Sequence, residues 1–150
     1  MGTVGDGASG DGALGDGAVR DGTGVHHFAG RHVFAELTGV VAGRLDDEAF
    51  LRRTLAEALS LAGATVCGLD SHRFEPQGVT VLALLAESHA SLHTYPEFGA
   101  AFVDVFTCGS RADPESAVRL LAGALDASIE RLRAVRRGLR TAPALADPLT

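Results

Sequence analysis

The strongest constraint on this chain lies at its centre. Residues 79–86 read Val-Thr-Val-Leu-Ala-Leu-Leu-Ala, an almost unbroken apolar run. A run of that length, closed off by turn signals, is expected to be a strand buried on both faces. Glu75-Pro76-Gln77-Gly78 supplies the turn before it. Directly after it come Glu87, Ser88, His89, Ser91, His93, Thr94 and Glu97. A rigid strand therefore delivers the chain straight into its densest group of polar side chains. Strand ends of this kind are where scaffolds present reactive groups.

The flanking sequence supplies the remaining layers. Residues 31–41 are expected to form a strand with Val33, Ala35 and Leu37 on one face. Asp46 or Asp47 can cap a helix running to about Ala62. Leu51, Leu55, Ala58, Leu59 and Ala62 make its apolar stripe, and Gly63 ends it. Residues 64–70 and 100–107 read as strands, the second interrupted only by Asp104. Asp113-Pro114-Glu115 opens a second helix, with Val118, Leu121, Ala122 and Leu125 facing inward. Residues 128–137 fit either period. Ile129, Leu132 and Val135 have helical spacing, whereas Ser128, Glu130, Leu132, Ala134 and Arg136 would share one face of a strand. The order predicts an α+β two-layer sandwich, a mainly antiparallel sheet with two helices on one face. The other sheet face needs a cover, and a second copy of the chain is the simplest one.

Residues 1–25 differ from the rest. Gly-Asp-Gly-Ala recurs at residues 5, 10 and 15, with little apolar surface to offset the entropy of ordering. A disordered tail is expected there, followed by one domain over 26–150. Calcium-binding β-rolls repeat every nine residues, so the five-residue period does not fit them. The net charge of −6 argues against nucleic acid as a partner. Arg131, Arg133, Arg136 and Arg137 cluster, but Glu130 and apolar neighbours make them a solvated edge. No stretch reaches membrane-spanning length, and the N-terminus lacks the apolar core of a signal peptide. A cytoplasmic protein is expected. Cys67 and Cys108 form no close pair, so neither a disulfide framework nor a zinc signature is present.

Three readings compete for the polar segment. A serine hydrolase would flank Ser88 with the glycines of a nucleophile elbow, and Ala86 and Ala90 stand in those positions instead. A metal site could use His89 and His93, spaced as on a zinc-binding helix. Ala90 then occupies the position of the usual catalytic Glu, no third ligand is evident, and Pro96 opposes a long helix. No metal is expected. The third reading is a polar turn with satisfied hydrogen bonds, and for any one residue alone it is the strongest.

The segment as a whole changes that balance. Leu85-Ala86-Glu87-Ser88-His89, then His93-Thr94-Tyr95-Pro96-Glu97, then Asp104-Val105-Phe106-Thr107-Cys108-Gly109 resembles the prokaryotic S-adenosylmethionine decarboxylase proenzymes. Gly30-Arg31-His32 resembles that family's opening strand, and His72-Arg73-Phe74 with Gly78-Val79 the loop before its cleavage strand. The resemblance spans roughly residues 30–138 and rests on several blocks that keep their mutual spacing. It implies self-cleavage between Glu87 and Ser88 into chains 1–87 and 88–150, Ser88 becoming a pyruvoyl group. Loss of CO₂ from an amino acid leaves a carbanion, and a pyruvoyl carbonyl is the electron sink it needs.

The resemblance also implies roles. His93 is the processing residue, in keeping with an imidazole's ability to take up a proton near neutrality. Cys108 returns a proton to the substrate's α-carbon. Phe74 stacks on adenine and favours the neighbouring sulfonium, and Glu97 binds ribose hydroxyls. Cys67 is expected to be a packing residue. Thr80, Val81, Tyr95 and Phe98 depart from the family's usual Ser, Gly, Trp and Tyr. The likeness favours a strand over 128–137. It further implies a homodimer with two sheets face to face, a four-layer αββα arrangement. The product expected is the aminopropyl donor for spermidine. The alternatives are a pyruvoyl arginine or ornithine decarboxylase of the same fold, or an uncleaved binding protein.

Overall fold

Alternating burial along each strand sets the architecture. The computed structural model describes residues 18–20 and 26–140. Its elements are β1 (Ala18–Arg20), β2 (His26–Thr38), α1 (Ala42–Leu45), α2 (Glu48–Leu61), β3 (Val66–Arg73), β4 (Val79–Leu85), β5 (Ser88–Tyr95), β6 (Ala100–Cys108), α3 (Pro114–Leu125) and β7 (Ser128–Arg140). A 3₁₀ turn over Pro96–Phe98 joins β5 to β6. The sheet runs β7-β2-β6-β5-β4-β3, every pair antiparallel. This is the α+β sandwich that the element order predicts.

One sheet face carries the core. Register places Val33 opposite Val105, Ala35 opposite Val103, Val81 opposite Leu92 and Ala83 opposite Ala90. On them lie Leu51, Leu55, Ala58 and Leu59 of α2, and Val118, Leu121, Ala122 and Leu125 of α3, all buried. Each fully buried leucine removes enough apolar surface to contribute about 1.5–3 kcal/mol before entropy is counted. The helix ends are where the capping signals predict. Asp47 accepts the Phe50 N–H at 2.9 Å, and Asp113 accepts the Glu115 N–H at 3.1 Å. Gly63 has φ +87° and closes α2, its N–H donating to the Ser60 carbonyl and that of Ala64 to Leu59. A Cβ there would meet the Arg111 carbonyl oxygen at 2.6 Å.

Five expectations are corrected. Residues 79–86 are not buried on both faces: Val79, Val81, Ala83 and Leu85 are, while Leu82 and Leu84 are 48% and 64% exposed. No element of the described chain covers that second face. The polar segment is not a turn but a strand inside the sheet, with His89, Ser91 and His93 alternating against the inward Ala90, Leu92 and Thr94. The strand expected at 64–70 is displaced to Val66–Arg73. Cys67, expected to pack, is exposed on β3. Residues 18–20, inside the span expected to be a tail, form β1, which pairs with His26–Phe28 of β2, beyond the last β2–β6 pair at Gly30. The rest of the tail lies outside the described residues. The ambiguous 128–137 segment is part of edge strand β7, as the resemblance favours.

Candidate active site

The link between β4 and β5 is the most tightly held turn around the polar segment. Thr65 grips it from the start of β3: its carbonyl accepts the Ala86 N–H at 3.0 Å, and its N–H and hydroxyl donate to the Glu87 carboxylate at 2.9 and 3.1 Å. On the other side the Cys108 N–H donates to the Glu87 carbonyl at 3.0 Å. The next residue, Ser88, has φ +155°. A non-glycine residue in that region stores of order 1–3 kcal/mol, which the surroundings must sustain. The Glu87–Ser88 peptide thus has a fixed, polarised carbonyl on one side and a strained residue on the other. The Ser88 hydroxyl lies 3.2 Å from Nδ1 of His89. Ser88 pairs with Thr107, which brings the free, half-buried Cys108 alongside.

A second group forms at the far end of β5. Phe74, Gln77, Thr80, His93, Tyr95 and Glu97 line a cleft of about 370 Å³. The Thr80 hydroxyl and Nδ1 of His93 are 2.9 Å apart, and Glu97 accepts a hydrogen bond from the Gln77 amide at 3.2 Å. Phe74 is half exposed, edge-on to His72 with ring centroids 4.7 Å apart. Its loop is closed by the Phe74 N–H on the Gly78 carbonyl at 2.8 Å. Asp46 anchors the loop, accepting from Gly78 N–H at 2.9 Å and pairing with Arg73 at 2.6 Å. The hydrogen-bonded Arg73 guanidinium, aided by the Gly78 N–H, holds the Asp46 carboxyl below its usual range.

The residues singled out from the sequence therefore fall into two groups. Glu87, Ser88 and Cys108 stand together, as do Phe74, Thr80, His93 and Glu97. Ser88 and His93 are five residues apart on one strand, about 17 Å at 3.3–3.4 Å per residue, and on alternate faces of the pleat. The helical pairing of His89 with His93 is likewise overturned. Four residues along a strand separate them by about 13 Å, too far to share an ion.

The sheet face away from the helices holds residues that sequence reasoning passed over. Asp104 lies 2.9 Å from Nε2 of His32 and 3.5 Å from Nε2 of His89, and it accepts a hydrogen bond from Ser91. Period-two alternation in His89, Ser91 and His93, and the isolation of Asp104 in an apolar strand, are the signals that would have found them. Around this cluster Phe34, Phe102, Leu82, Leu84 and Val135 remain substantially exposed.

Fold and site together define a class: a two-layer α+β protein with a serine held after a strained, anchored peptide and beside a free thiol. Residues 31–138 match the profile of the S-adenosylmethionine decarboxylase family. The chain belongs to that family. It is 54% identical over 118 residues to the S-adenosylmethionine decarboxylase proenzyme of Parasynechococcus marenigrum (strain WH8102), covering 79% of this chain and 91% of that one. Over 120 residues it is 40% identical to the proenzyme of the same name from Oceanobacillus iheyensis, covering 80% and 94%. The crystal structure of the adenosylmethionine decarboxylase from Aquifex aeolicus VF5 superposes with TM-score 0.64 at 34% identity, covering 73% of this chain and 89% of that one. Among the described residues no helix is long and apolar enough to cross a membrane.

Proposed function

We propose that this chain is a self-cleaving proenzyme that decarboxylates S-adenosylmethionine, yielding the aminopropyl donor for spermidine. The observation that carries the reading is the Glu87–Ser88 peptide: a carbonyl hydrogen-bonded by the Cys108 N–H, followed by a serine at φ +155°. Attack of the Ser88 hydroxyl on that carbonyl relieves the strained peptide and turns the amide into an ester. The Cys108 N–H is aimed at the oxygen on which negative charge develops. Elimination then releases residues 1–87 and leaves a dehydroalanine at residue 88, whose imine form takes up water and loses ammonia to become the pyruvoyl group. That group supplies a carbonyl able to accept the electrons left behind when CO₂ departs. Ser88, with a β-oxygen, adjacent to a thiol, is a donor set that fits it. The Cys108 thiol, one residue past Thr107, the cross-strand partner of Ser88, hands a proton to the substrate's α-carbon in this reading.

His93 takes the α-proton of Ser88 during elimination, and Phe74 and Glu97 receive the adenosine moiety. These groups are too far from Ser88 in one chain, which supports a site shared by two. A two-fold, face-to-face dimer would bring Ser88 and Cys108 of one protomer to the partner's Phe74, His93 and Glu97. The exposed Phe34, Leu82, Leu84, Phe102 and Val135 would then be covered, in four αββα layers. The work is that of a cytoplasmic enzyme.

The test is an intact-mass measurement under denaturing, reducing conditions. Two fragments divided between residues 87 and 88 are expected, the second blocked to N-terminal sequencing, and Ser88→Ala should give one uncut chain. A single full-length mass after long incubation would overturn the reading. Turnover of arginine or ornithine in place of S-adenosylmethionine would overturn the substrate alone.

A further inference from the structure

The proposed cleavage needs a base for the Ser88 hydroxyl, and His93 lies at the wrong end of the strand to serve within the chain. The open sheet face offers another. Nδ1 of His89 lies 3.2 Å from the Ser88 hydroxyl, and Nε2 of the same ring lies 3.5 Å from Oδ2 of Asp104. Asp104 is itself fixed by two partners, Ser91 on one carboxylate oxygen and Nε2 of His32 at 2.9 Å on the other. Nδ1 of His32 accepts from Arg137 at 3.3 Å, so the proton of that ring sits on Nε2, pointing at Asp104. The result is an ordered line: Ser88 hydroxyl, His89 imidazole, Asp104 carboxylate. Spacing along the sequence hides it, because Asp104 reaches the line only through the pairing of β5 with β6.

We infer that His89 is the base that activates Ser88 for self-cleavage, with Asp104 as a positioning residue acting through it; this rests on the proposed cleavage at Glu87–Ser88. The step balances without an added reactant. Nδ1 takes the hydroxyl proton as Oγ bonds to the Glu87 carbonyl carbon. Asp104 stabilises the imidazolium so formed. When the tetrahedral centre collapses, the C–N bond breaks and His89 returns the proton to the departing Ser88 nitrogen. The products are an ester and a free amine, and the imidazole is neutral again.

The experiment follows the cleavage of freshly purified proenzyme by denaturing mass spectrometry. A positioned base contributes about 10²–10⁴-fold, so His89→Ala should cut at least about a hundredfold more slowly and regain speed on addition of free imidazole. Should His89→Ala melt early, His89→Gln takes its place and is read by cleavage rate alone. Asp104→Asn should cut more slowly, and Asp104→Glu, which restores the carboxylate, should regain part of the rate. The other charged groups facing His89 are His32 on β2 and, beyond the Phe106 ring it covers, Arg137 on β7. A wild type that cuts while His89→Ala cuts equally fast would overturn this inference alone. Cleavage abolished by a chelator would also overturn it, because His32, His89 and Asp104 would then be acting as ligands to an ion. An uncut wild type, or a cut Ser88→Ala chain, would overturn the cleavage reading and this inference with it.

Discussion

Cys108 contributes through two different atoms, and mutation separates them. Its backbone N–H holds the Glu87 carbonyl at 3.0 Å, a contact that any residue except proline can make. Its thiol is the proposed proton donor, which alanine lacks. Cys108→Ala is therefore expected to cut itself as the wild type does, yet to decarboxylate at least about a hundredfold more slowly in kcat. Fragment masses and CO₂ release from one preparation measure both quantities. Undiminished turnover would remove the thiol from the reaction, and an uncut chain would mean that the side chain, not the amide, supports processing. Thr65 offers a companion case. Its hydroxyl is one of two donors to the Glu87 carboxylate, and its own N–H is the other. Thr65→Val is expected to slow cleavage only about severalfold, on the scale of one exposed hydrogen bond of about 1 kcal/mol. A time course of intact mass checks it.

Loops and caps position the proposed substrate end of the site, so their titration should appear in binding. Asp46 joins the Phe74 loop to Arg73, and its carboxyl is held below the ordinary carboxylate range by that guanidinium. A depressed value means that the anchor is complete at and above the ordinary carboxylate range. It is lost only as pH falls through the lower folded value. Asp46→Asn keeps an oxygen for Gly78 but loses the charge pair. It is expected to raise KM for S-adenosylmethionine severalfold and leave kcat nearly unchanged, as steady-state kinetics would measure. Asp113 does comparable work for α3, taking the Ser116 hydroxyl at 2.7 Å and the Glu115 N–H at 3.1 Å. Its carboxyl is lowered first by the Ser116 hydroxyl. Asp113→Ala should lose about 1 kcal/mol of stability at neutral pH, and the deficit should shrink as acid titrates the wild-type cap, as thermal melts would record. These caps were legible in the sequence because a cap is a local pattern of three or four residues. Strand β5 was not. Its outward His89, Ser91 and His93 mimic the composition of a turn, and only partners on β4 and β6 make them a strand. The cluster at Asp104 lay further from view, because His32 is 72 residues away and meets it only through the β2–β6 register. Family likeness singles out Ser88, His93 and Cys108, but it says nothing of the distance between the first two.

At the scale of the whole molecule, that distance becomes a prediction about assembly. One chain carries both halves of the proposed site, at opposite ends of β5, and exposes an apolar sheet face between them. On the proposed dimer, each site draws Ser88 from one protomer and His93 from the other. A charge in the middle of that face should then separate the protomers and stop processing together. Leu82→Lys is expected to sediment as a monomer and remain uncut, although Leu82 lies opposite Ser91 and not opposite Ser88, His89 or His93. Complementation is the sharper test. His93→Ala and Ser88→Ala chains should each stay intact when expressed alone. Expressed together, a mixed dimer regains one complete site: Ser88 on the His93→Ala chain faces the intact His93 of the Ser88→Ala chain. The chain that is cut should carry the His93→Ala mass and never the Ser88→Ala mass, and no more than one chain in each mixed dimer should be processed. Cleavage of neither chain would place His93 in the same protomer as the serine it serves, against a separation of about 17 Å along β5, and would require β5 to leave the sheet during processing. Hydrogen exchange at the amides of β5 in the uncut Ser88→Ala chain would then decide the matter, since a strand that opens loses protection and one held between β4 and β6 keeps it.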